Sequence, residues 1–378
     1  MFIIQTNINQ GDKIMTDREK EILDVIKENP MISQQELADR LSITRSSVAV
    51  HITNLMKKGY IIGKGYILKK SNYITVIGGS NIDIQGVPNK SLVLFDSNPG
   101  KVDISLGGVG RNIADNICRL GINTKLISAI GNDLYGNQLL SECRSYGIDV
   151  EDCYVSNEYP TSMYVSILND DNDMQVAISH MDILDKLDLD YITSKHQQIN
   201  GSLAIVIDTN LSQDVIDYIT STYSHIPIFV DTVSTSKCMK IKDIIGLFHT
   251  IKLNQYEAEA LSDIKINNME DIRLCCKYFI EKGVKNVFIT LGKDGVYCAN
   301  NETSMHINGV KANIVSATGA GDAFTAGLIY SHLNDFDIEY CAKFSMAASI
   351  IALSHENTIN PNMSVDNVEK ILKEMILC

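Results

Sequence analysis

A run of small residues followed by an acid, SATGAGDAF at 316–324, stands directly before the apolar helical stretch DAFTAGLIYSHL. Gly319, Ala320 and Gly321 carry little or no side chain, so backbone N–H groups at a helix start can approach an anion such as a phosphate there. Asp322 suits a base that takes a proton from an attacking hydroxyl. The alternative is that Gly-Ala-Gly permits close helix packing and Asp322 caps the first turn.

In two more motifs, polar side chains that could bind a sugar lie next to glycines in the sequence. VIGGSNIDIQG follows an apolar run and presents Asn81 and Asp83, alternate residues that project to one side of an extended chain. An acid and an amide together suit a vicinal diol. LGGVGRNIADN adds Gly107 and Gly108, whose backbone can approach a sugar, and Asn112 in the first turn of the next helix.

A fourth motif, KLNQYEAEAL, ends an apolar run and presents Asn254 and Glu257 at a helix start. Residues three apart lie on one helix face, and their oxygens suit Mg²⁺-bound water and phosphate. The sequence contains no G-x-x-x-x-G-K-[ST] loop and no G-x-G-x-x-G that opens a helix after the first strand. P-loop and dinucleotide-binding folds therefore lose their main support.

The larger part of the chain, residues 73–378, alternates apolar runs with amphipathic segments. The predicted buried strands are YITVIGG, TKLISAIG, LAIVIDT, IPIFVDT, HTIKLN and NVFITLG. RNIADNICRLG, which Gly121 ends, and QDVIDYITSTY are predicted helices between them. This alternation predicts an α/β fold with a doubly wound, mostly parallel sheet. PGKVDISLGG and the stretch 152–179 are strand-rich without helices, and they predict a small β lid over the ligand edge.

Residues 16–70 predict a separate α+β domain that contains a helix-turn-helix. Thr16 with Glu19, and Ser33 with Glu36, have capping-box spacing at the starts of two short amphipathic helices. A third helix follows after a tight turn. The residues of this third helix that are expected to face outward, as side chains that read a DNA groove do, are Arg45, Ser46, Ser47, His51 and Asn54.

The inward face of the third helix is predicted to be Val48, Ile52 and Leu55. After it, YIIGKGYIL predicts two strands around a turn at 63–65, and residues 41–70 hold six Lys or Arg and no acid. The segment resembles the winged helix-turn-helix domains of bacterial transcription regulators, which implies that it binds DNA. The alternative is a winged-helix module used for protein contacts.

Charge and cysteine content narrow the class of protein. Residues 1–70 hold 11 Lys or Arg against 8 Asp or Glu, whereas the rest of the chain holds 22 against 38, so the two parts suit different partners. Nine cysteines without a C-x-x-C pair or zinc spacing predict reduced thiols in a cytoplasmic protein. The longest apolar stretch, 344–353, is about half a membrane span, and no secretory signal is evident, so no membrane partner is expected.

In their order along residues 73–378, the four motifs resemble the ribokinase (PfkB) family of sugar and nucleoside kinases. The resemblance implies a ribokinase-like fold with a β lid that often mediates dimerisation, and ATP and Mg²⁺ as cofactors. It makes Asp322 the catalytic base, the 319–321 turn the anion hole, and Glu257 the residue that organises Mg²⁺. The positions that it assigns to the acceptor are Asp83, Gly107, Gly108 and Asn112. The segment ITLGKDGVYC is similar to the family's nucleotide-side turn, which carries Thr290, Gly292 and Gly295 toward ATP, with Asn254 also on the nucleotide side.

The family usually has an acid in the run before the glycine-rich turn, and this chain has SAT at 316–318 instead. DSNPGKVDISLGGVGRNIADN, together with DTVSTSK and IDTNLS, is similar to pseudouridine kinases, which implies MgATP-dependent phosphorylation of the 5′-hydroxyl of a pyrimidine C-nucleoside. Asp96, Ser97 and Lys101 are candidates to read the edge of the uracil ring. The alternative is that SNPG forms only a turn.

These features favour a pseudouridine kinase with a regulatory DNA-binding domain, and we expect a homodimer. One alternative is a kinase for another acceptor, such as ribose, adenosine or 2-keto-3-deoxygluconate. The other is a transcription regulator that keeps the sugar pocket as a sensor. A pure sensor has no chemical need for an acid at Asp322, which argues against that alternative.

Overall fold

The structure is a computed structural model that describes residues 2–3, 15–28, 32–58, 60–61, 63–64, 73–169, 173–310, 314–316 and 318–377. The chain divides into two compact units, residues 1–71 and 72–378. Ala317, and the part of the expected wing at 65–70, lie outside the described residues.

The described residues of the first unit form three helices and a short ribbon. Its elements are β1 (Phe2–Ile3), α1 (Asp17–Glu28), α2 (Gln34–Arg40), α3 (Arg45–Lys57) and β2 (Gly63–Lys64). Both predicted capping boxes are present, because the backbone N–H of Thr16 donates to Glu19 at 2.8 Å and that of Ser33 donates to Glu36 at 2.7 Å. The predicted inward residues of α3, namely Val48, Ile52 and Leu55, are buried in the core of this unit.

One prediction for the first unit is wrong. Gly63 and Lys64, expected in a turn, form strand β2, which pairs antiparallel with Phe2–Ile3. The sequence near residue 2 supplies a strand partner that lies far away along the chain, so this pairing cannot be read from local turn signals. Backbone N–H and C=O groups that a turn would leave to solvent are satisfied across the ribbon instead.

A mostly parallel eight-stranded sheet is the centre of the second unit. Its strands in spatial order are β16 (Ser304–Ile307), β15 (Val296–Ala299), β14 (Asn286–Thr290), β13 (Thr250–Asn254), β12 (Ile228–Asp231), β11 (Ile205–Asp208), β3 (Ile74–Ile77) and β6 (Thr124–Ile127). The strands from β6 to β14 are parallel, and β15 and β16 add an antiparallel edge. The strand order reverses at β3, and ligands of such sheets bind at the carboxyl ends of strands near that point.

Helices cover both faces of this sheet. They are α4 (Val109–Arg119), α5 (Leu134–Ser145), α6 (Leu189–Ser194), α7 (His196–Asn200), α8 (Gln213–Thr222), α9 (Thr235–Cys238), α10 (Gln255–Ser262), α11 (Met269–Lys282), α12 (Ala320–Leu333), α13 (Ile338–Leu353) and α14 (Val365–Leu377). Val206 packs into the core with α4, α12 and α13, whereas Ile205 and Ile207 pack into the core with α8 and α11. The sheet is therefore doubly wound, as predicted.

A separate four-stranded sheet, here called the lid sheet, has the order β10 (Met174–His180), β9 (Met163–Leu168), β4 (Asn81–Pro88) and β5 (Gly100–Gly107). The expected strand-rich segments supply three of its strands, and the fourth is β4, which begins at Asn81 and contains Asp83, the residues expected on an extended chain. The remaining piece, β8 (Tyr154–Ser156), pairs with β7 (Ala129–Gly131) in a sheet of its own.

The expectation of one strand over TKLISAIG is wrong, because the segment forms two strands in different sheets. β6 ends at Ile127, and the carbonyl of Ser128 accepts the N–H of Tyr154 at 2.8 Å. The chain beyond Ile127 is therefore bonded to the β8 segment and not to β3, which redirects β7. Among the described helices, none is both long and apolar enough to cross a bilayer.

Candidate active site

Helix α12 begins from a left-handed glycine. Gly319 is its N-cap with φ 79°, and a Cβ at this position would lie 2.2 Å from the carbonyl oxygen of Thr358. Only glycine fits both the backbone conformation and the space. The first N–H groups of α12 therefore stand at a turn with little side-chain cover, and Asp322 follows in the first turn with 9% of its surface exposed.

A side chain from α4 reaches the Asp322 carboxylate. Asn112 Nδ2 donates to Asp322 Oδ2 at 2.9 Å, so the first turns of α4 and α12 meet at this acid. Arg111 Nη1 donates to the other end of the same amide, Asn112 Oδ1, at 3.3 Å, and is itself held by Asp115 at 2.9 Å. Because arginine only donates, it fixes which end of the Asn112 amide points toward the carboxylate.

Burial, followed by the negative charge of Asp231, raises the pKa of Asp322 well above the usual range of an aspartate. The Asn112 hydrogen bond and the positive charge of Lys252 act in the opposite direction and do not overcome this. A carboxylate with a raised pKa binds a proton more tightly. That property suits a general base for a hydroxyl.

A buried ion pair lies next to the glycine turn and was not predicted from the sequence. Lys252 Nζ on β13 lies 2.8 Å from Asp231 Oδ2 at the end of β12, and Thr325 Oγ1 of α12 donates to the same oxygen at 3.3 Å. A Cβ on Gly321 would lie 3.0 Å from Lys252 Nζ. Burial acts to raise the pKa of Asp231, but the Lys252 ammonium outweighs it and lowers that pKa overall, so Asp231 is a carboxylate.

The predicted acceptor residues Asn81, Asp83, Gly107 and Gly108 lie together where the lid sheet meets α4. Asn81 Nδ2 donates to Asp83 Oδ1 at 2.6 Å, and a Cβ on Gly107 would lie 2.0 Å from Asp83 Oδ2. Gly108 has φ 97°, and a Cβ there would lie 2.5 Å from the backbone of the turn between β3 and β4. Burial raises the pKa of Asp83, against the Asn81 hydrogen bond and the charge of Arg111.

Asp208, at the end of β11, is a third site residue whose role was not predicted from the sequence, after Asp231 and Lys252. Its Oδ2 accepts the backbone N–H groups of Gly79 at 2.8 Å and Gly110 at 2.9 Å. A Cβ on Gly78 would lie 2.4 Å from the same oxygen. Asp208 therefore joins the turn after β3 to the start of α4, and so positions Asn81 and Asn112 on either side of it.

A mainly apolar cavity of about 730 Å³ lies on the other side of the glycine turn. Its walls include Ala320, Gly321 and three of the four residues predicted for the nucleotide side, which are Thr290, Gly292 and Gly295. The fourth, Asn254, does not line this cavity. Phe324, Met346 and Ile350 supply apolar surface. The size and the glycine-rich wall suit a nucleotide whose base needs apolar contacts and whose phosphates approach backbone.

Asn254 and Glu257 form a capping box at the start of α10. Asn254 N donates to Glu257 Oε2 at 2.8 Å, and Glu257 N donates to Asn254 Oδ1 at 2.9 Å. Within the described residues, Glu257 Oε1 accepts no hydrogen bond. One or two protein carboxylates with water and phosphate oxygens are the usual environment of Mg²⁺. In the part of the chain that the structure describes, no cluster of three His, Cys, Asp or Glu could hold a metal by itself.

The structure does not bring Asp96, Ser97 and Lys101 to the other site residues. All three are exposed, Asp96 and Ser97 on the loop between β4 and β5 and Lys101 near the start of β5. Asn98 closes this loop on itself, because its Oδ1 accepts the N–H of Val93 at 2.8 Å. This geometry favours the turn interpretation of SNPG over the base-reading one.

The candidate DNA-reading residues share α3 but differ in exposure. Arg45 and Ser46 are exposed, whereas half of the surface or more is covered at the other three, Ser47, His51 and Asn54. The backbone N–H of Ser47 donates to the N-cap Thr44 Oγ1 at 3.2 Å. Arg45 and Ser46 are therefore the members best placed to meet a ligand.

Comparison with known families covers both units. Residues 71–365 match the model of the pfkB family carbohydrate kinases, and residues 15–62 match the winged helix-turn-helix DNA-binding family. The first match spans most of the second unit and contains the four motifs. The second match includes α1, α2 and α3.

Two curated relatives come from Escherichia coli K12. The uncharacterized sugar kinase YeiI is 37% identical over 93% of this chain and 98% of its own length. A pseudouridine kinase is 36% identical over 81% of this chain and 98% of its own length. The two identities are too close to decide between the acceptors of these relatives.

Solved structures show the same fold. A ribokinase from Thermotoga maritima superimposes with a TM-score of 0.70 at 21% identity, over 80% of this chain and 99% of its own. An Arabidopsis thaliana ribokinase complexed with ribose and ATP gives a TM-score of 0.67 at 19% identity, over the same shares. The chain belongs to the pfkB family of carbohydrate kinases, phosphotransferases with an alcohol as acceptor, and carries a winged helix-turn-helix segment in front of the kinase fold.

Proposed function

We propose that the protein transfers the terminal phosphate of MgATP to the 5′-hydroxyl of pseudouridine, with Asp322 as the general base. The proposal rests on one observation: a buried carboxylate with a raised pKa lies in the first turn of α12, beside a bare glycine turn and a nucleotide-sized cavity. Pseudouridine as the acceptor is supported by the 36% identity to a pseudouridine kinase. The similar identity to a sugar kinase makes the acceptor the first quantity to measure.

In the proposed reaction the acceptor oxygen attacks the terminal phosphorus in line with the leaving group. The hydroxyl proton passes to an oxygen of Asp322, the bond from phosphorus to the bridging oxygen breaks, and ADP leaves. Backbone N–H groups of the 319–321 turn, at the positive end of α12, donate to the phosphoryl oxygens where negative charge develops. Asn112 keeps the base oriented through its hydrogen bond to Oδ2.

The residues that line the cavity fit the proposed nucleotide, and Glu257, outside that lining, fits the proposed metal. Phe324, Met346 and Ile350 offer apolar surface to a base, and the predicted positions Thr290, Gly292 and Gly295 leave the phosphates room to pass along backbone. Mg²⁺ neutralises phosphate charge when it is bound. Glu257, with Asn254 beside it, would hold that ion through the free carboxylate oxygen.

The acceptor is proposed to lie against the polar face of the lid sheet. Asp83 and Asn81 offer oxygens and an amide to the ribose diol, and Gly107 and Gly108 let the sugar approach the backbone. Strand register places Tyr164 of β9 directly beside Asp83 on the same face. The lid sheet thus presents hydrogen-bonding groups toward the site, which is what a polar nucleoside requires.

Replacing the base tests the chemistry. In Asp322→Asn the side chain keeps its shape but cannot accept a proton, so turnover should fall by about 10²–10⁴-fold. The midpoint of thermal unfolding should not fall, because the amide removes a buried charge that is repelled by Asp231. ADP release in a coupled assay, with pseudouridine, uridine, ribose, adenosine and 2-keto-3-deoxygluconate in parallel, measures the effect.

The matched control is Asp366→Asn, which changes an exposed acid in the first turn of α14 and should leave turnover unchanged. Near-normal turnover in Asp322→Asn would refute the role of Asp322 as the general base. A preference for another acceptor in the panel would refute pseudouridine as the substrate and would leave the proposed role of Asp322 unaffected. No ADP release above the background ATPase with any acceptor would favour the sensor alternative.

The pH dependence of kcat/KM should report the ionisation of Asp322. Activity requires the carboxylate, so log kcat/KM should rise with pH through a midpoint well above ~4, the ordinary aspartate value. The Asn112 amide lowers the pKa of Asp322, so Asn112→Ala should move that midpoint to higher pH. Asn116→Ala, one turn further along α4, is the control, because the Asn116 amide donates to a backbone carbonyl instead. An unmoved midpoint in Asn112→Ala would contradict the assignment.

We also propose that the first unit binds DNA through α3. Arg45→Ala should weaken binding to the DNA upstream of the protein's own coding region by about 10- to 100-fold at fixed salt, since Arg45 is exposed at the start of α3. Electrophoretic mobility shifts at 100 mM salt, against an unrelated duplex of equal length, provide the measurement. Arg18→Ala, an exposed arginine that pairs with Glu21 on α1, is the control. Equal affinity for both duplexes would contradict specific binding.

We also propose that the protein forms a homodimer through the face of the lid sheet opposite the one that carries Asp83. Cross-strand neighbours Ile104, Ile84, Val165 and Ile178 form a row across all four strands, and the end members are 54% and 67% exposed. A continuous apolar row of this kind marks an interface, and the same sheet from a second copy would cover it with two-fold symmetry.

Ile178→Asp should convert the dimer to a monomer, because the charge would be buried in the apolar contact. Sedimentation velocity on the wild-type chain and the variant gives the two masses. Leu134→Asp, at an exposed residue of α5, should leave the wild-type mass unchanged. A wild-type chain that sediments as a monomer at micromolar concentration would rule the dimer out.

A further inference from the structure

Lys252 lies near the proposed base Asp322, the glycine turn and Glu257, the proposed Mg²⁺ ligand. Its side chain is 12% exposed, and its charge interacts with Asp231, Glu257 and Asp322. These three acids come from β12, α10 and α12. The Lys252 ammonium group is therefore close enough to interact electrostatically with both the proposed base and the proposed metal acid.

The space above Gly321 is within reach of this ammonium group. A Cβ on Gly321 would lie 3.0 Å from Lys252 Nζ, so the ammonium group lies over the side of the turn that carries no side chain. Because the glycine has no Cβ, no side chain separates the ammonium group from a ligand oxygen that approaches the turn. Such an oxygen would meet the Lys252 ammonium on one side and the backbone at the start of α12 on the other.

The Lys252 ammonium also has donors to spare. It carries three N–H groups, and the hydrogen bond that the described residues give it is the one to Asp231 Oδ2 at 2.8 Å. Thr325 donates to the same carboxylate oxygen from α12, so Asp231 is fixed with respect to the helix that bears the base. The ion pair thus holds the ammonium in place without using all of its donors.

We propose that Lys252 is a catalytic residue that donates hydrogen bonds to an oxygen of the phosphoryl group in transit, and that Asp231 is the residue that positions it. This inference rests on the proposed kinase function. As the bond from the acceptor oxygen to phosphorus forms and the bond to ADP breaks, the hydroxyl proton goes to Asp322. Lys252 remains protonated throughout and compensates the negative charge of the phosphoryl oxygens.

Binding of a transition-state mimic separates this role from ordinary nucleotide binding. With MgADP and pseudouridine present, fluoroaluminate should occupy the place of the phosphoryl group and tighten MgADP binding to the wild-type protein. In Lys252→Met that tightening should fall by about 10²–10³-fold, whereas the affinity for MgADP alone should change less than about threefold. Isothermal titration with and without fluoroaluminate measures both quantities, and kcat should fall in parallel with little change in the KM for ATP.

Two further variants separate catalysis from charge balance. Lys125→Met removes another buried lysine on the same sheet, one that pairs with Asp149 and Asp152, and should keep the full tightening. Asp231→Asn/Lys252→Met removes both charges of the pair, so no buried carboxylate is left without its partner. If Lys252 were only a counter-ion, this double variant would recover the tightening; we expect that it does not.

The outcomes distinguish this inference from the proposed function. Tightening in the wild type that survives in Lys252→Met, or that returns in the double variant, overturns the role of Lys252 and leaves the kinase function standing. Absence of tightening in the wild type, with every acceptor of the panel, overturns the kinase function itself. The proposal is supported if both Lys252 variants lose the fluoroaluminate-dependent tightening of MgADP binding and Lys125→Met retains it.

Discussion

Three aspartates, Asp208, Asp231 and Asp322, are buried along one edge of the central sheet, and the site depends on how each charge is compensated. A buried carboxylate is costly unless hydrogen bonds or an opposite charge offset the loss of water. Backbone N–H groups surround Asp208, and the Lys252 ammonium pairs with Asp231. Asp322 has one amide hydrogen bond from Asn112, and burial raises its pKa, as it does that of Asp208. The surroundings separate the two acids, because Asp208 holds backbone N–H groups, whereas Asp322 lies in the first turn of α12 beside the glycine turn.

Glycines bring these charged groups into contact with backbone. At Gly78 and Gly107 a Cβ would overlap an aspartate oxygen, and at Gly319 it would overlap a carbonyl oxygen. Each of these glycines stands where a helix or strand must begin close to a carboxylate or to another turn. The flexibility that glycine adds to the unfolded chain is a cost, and it is offset here by hydrogen bonds that a larger residue would prevent.

Much of the fold follows from local sequence patterns, whereas the site follows only in part. Apolar runs and capping residues predict the parallel strands and the helices, because these signals lie within one segment. The split of TKLISAIG and the pairing of Gly63–Lys64 with Phe2–Ile3 depend on partners far along the chain, which a local pattern does not identify. The sequence provides a weak indication for Asp231 and Lys252, because both lie toward the carboxyl ends of apolar strands, where ligands of such sheets bind. Their ion pair cannot be predicted from it, because it depends on β12 and β13 lying side by side.

That partnership also explains how a cation can lie near the proposed base while the pKa of Asp322 stays raised. An ammonium bonded directly to Asp322 would lower the pKa of that carboxyl and make it a poorer proton acceptor. Asp231 prevents this, because it takes the ammonium into its own ion pair and adds a negative charge that raises the pKa of Asp322. The positive charge therefore remains available toward the glycine turn while the pKa of Asp322 stays raised. One carboxylate thus keeps apart the two requirements of the proposed reaction, a cation for phosphate and a strong base for a hydroxyl, that would otherwise cancel.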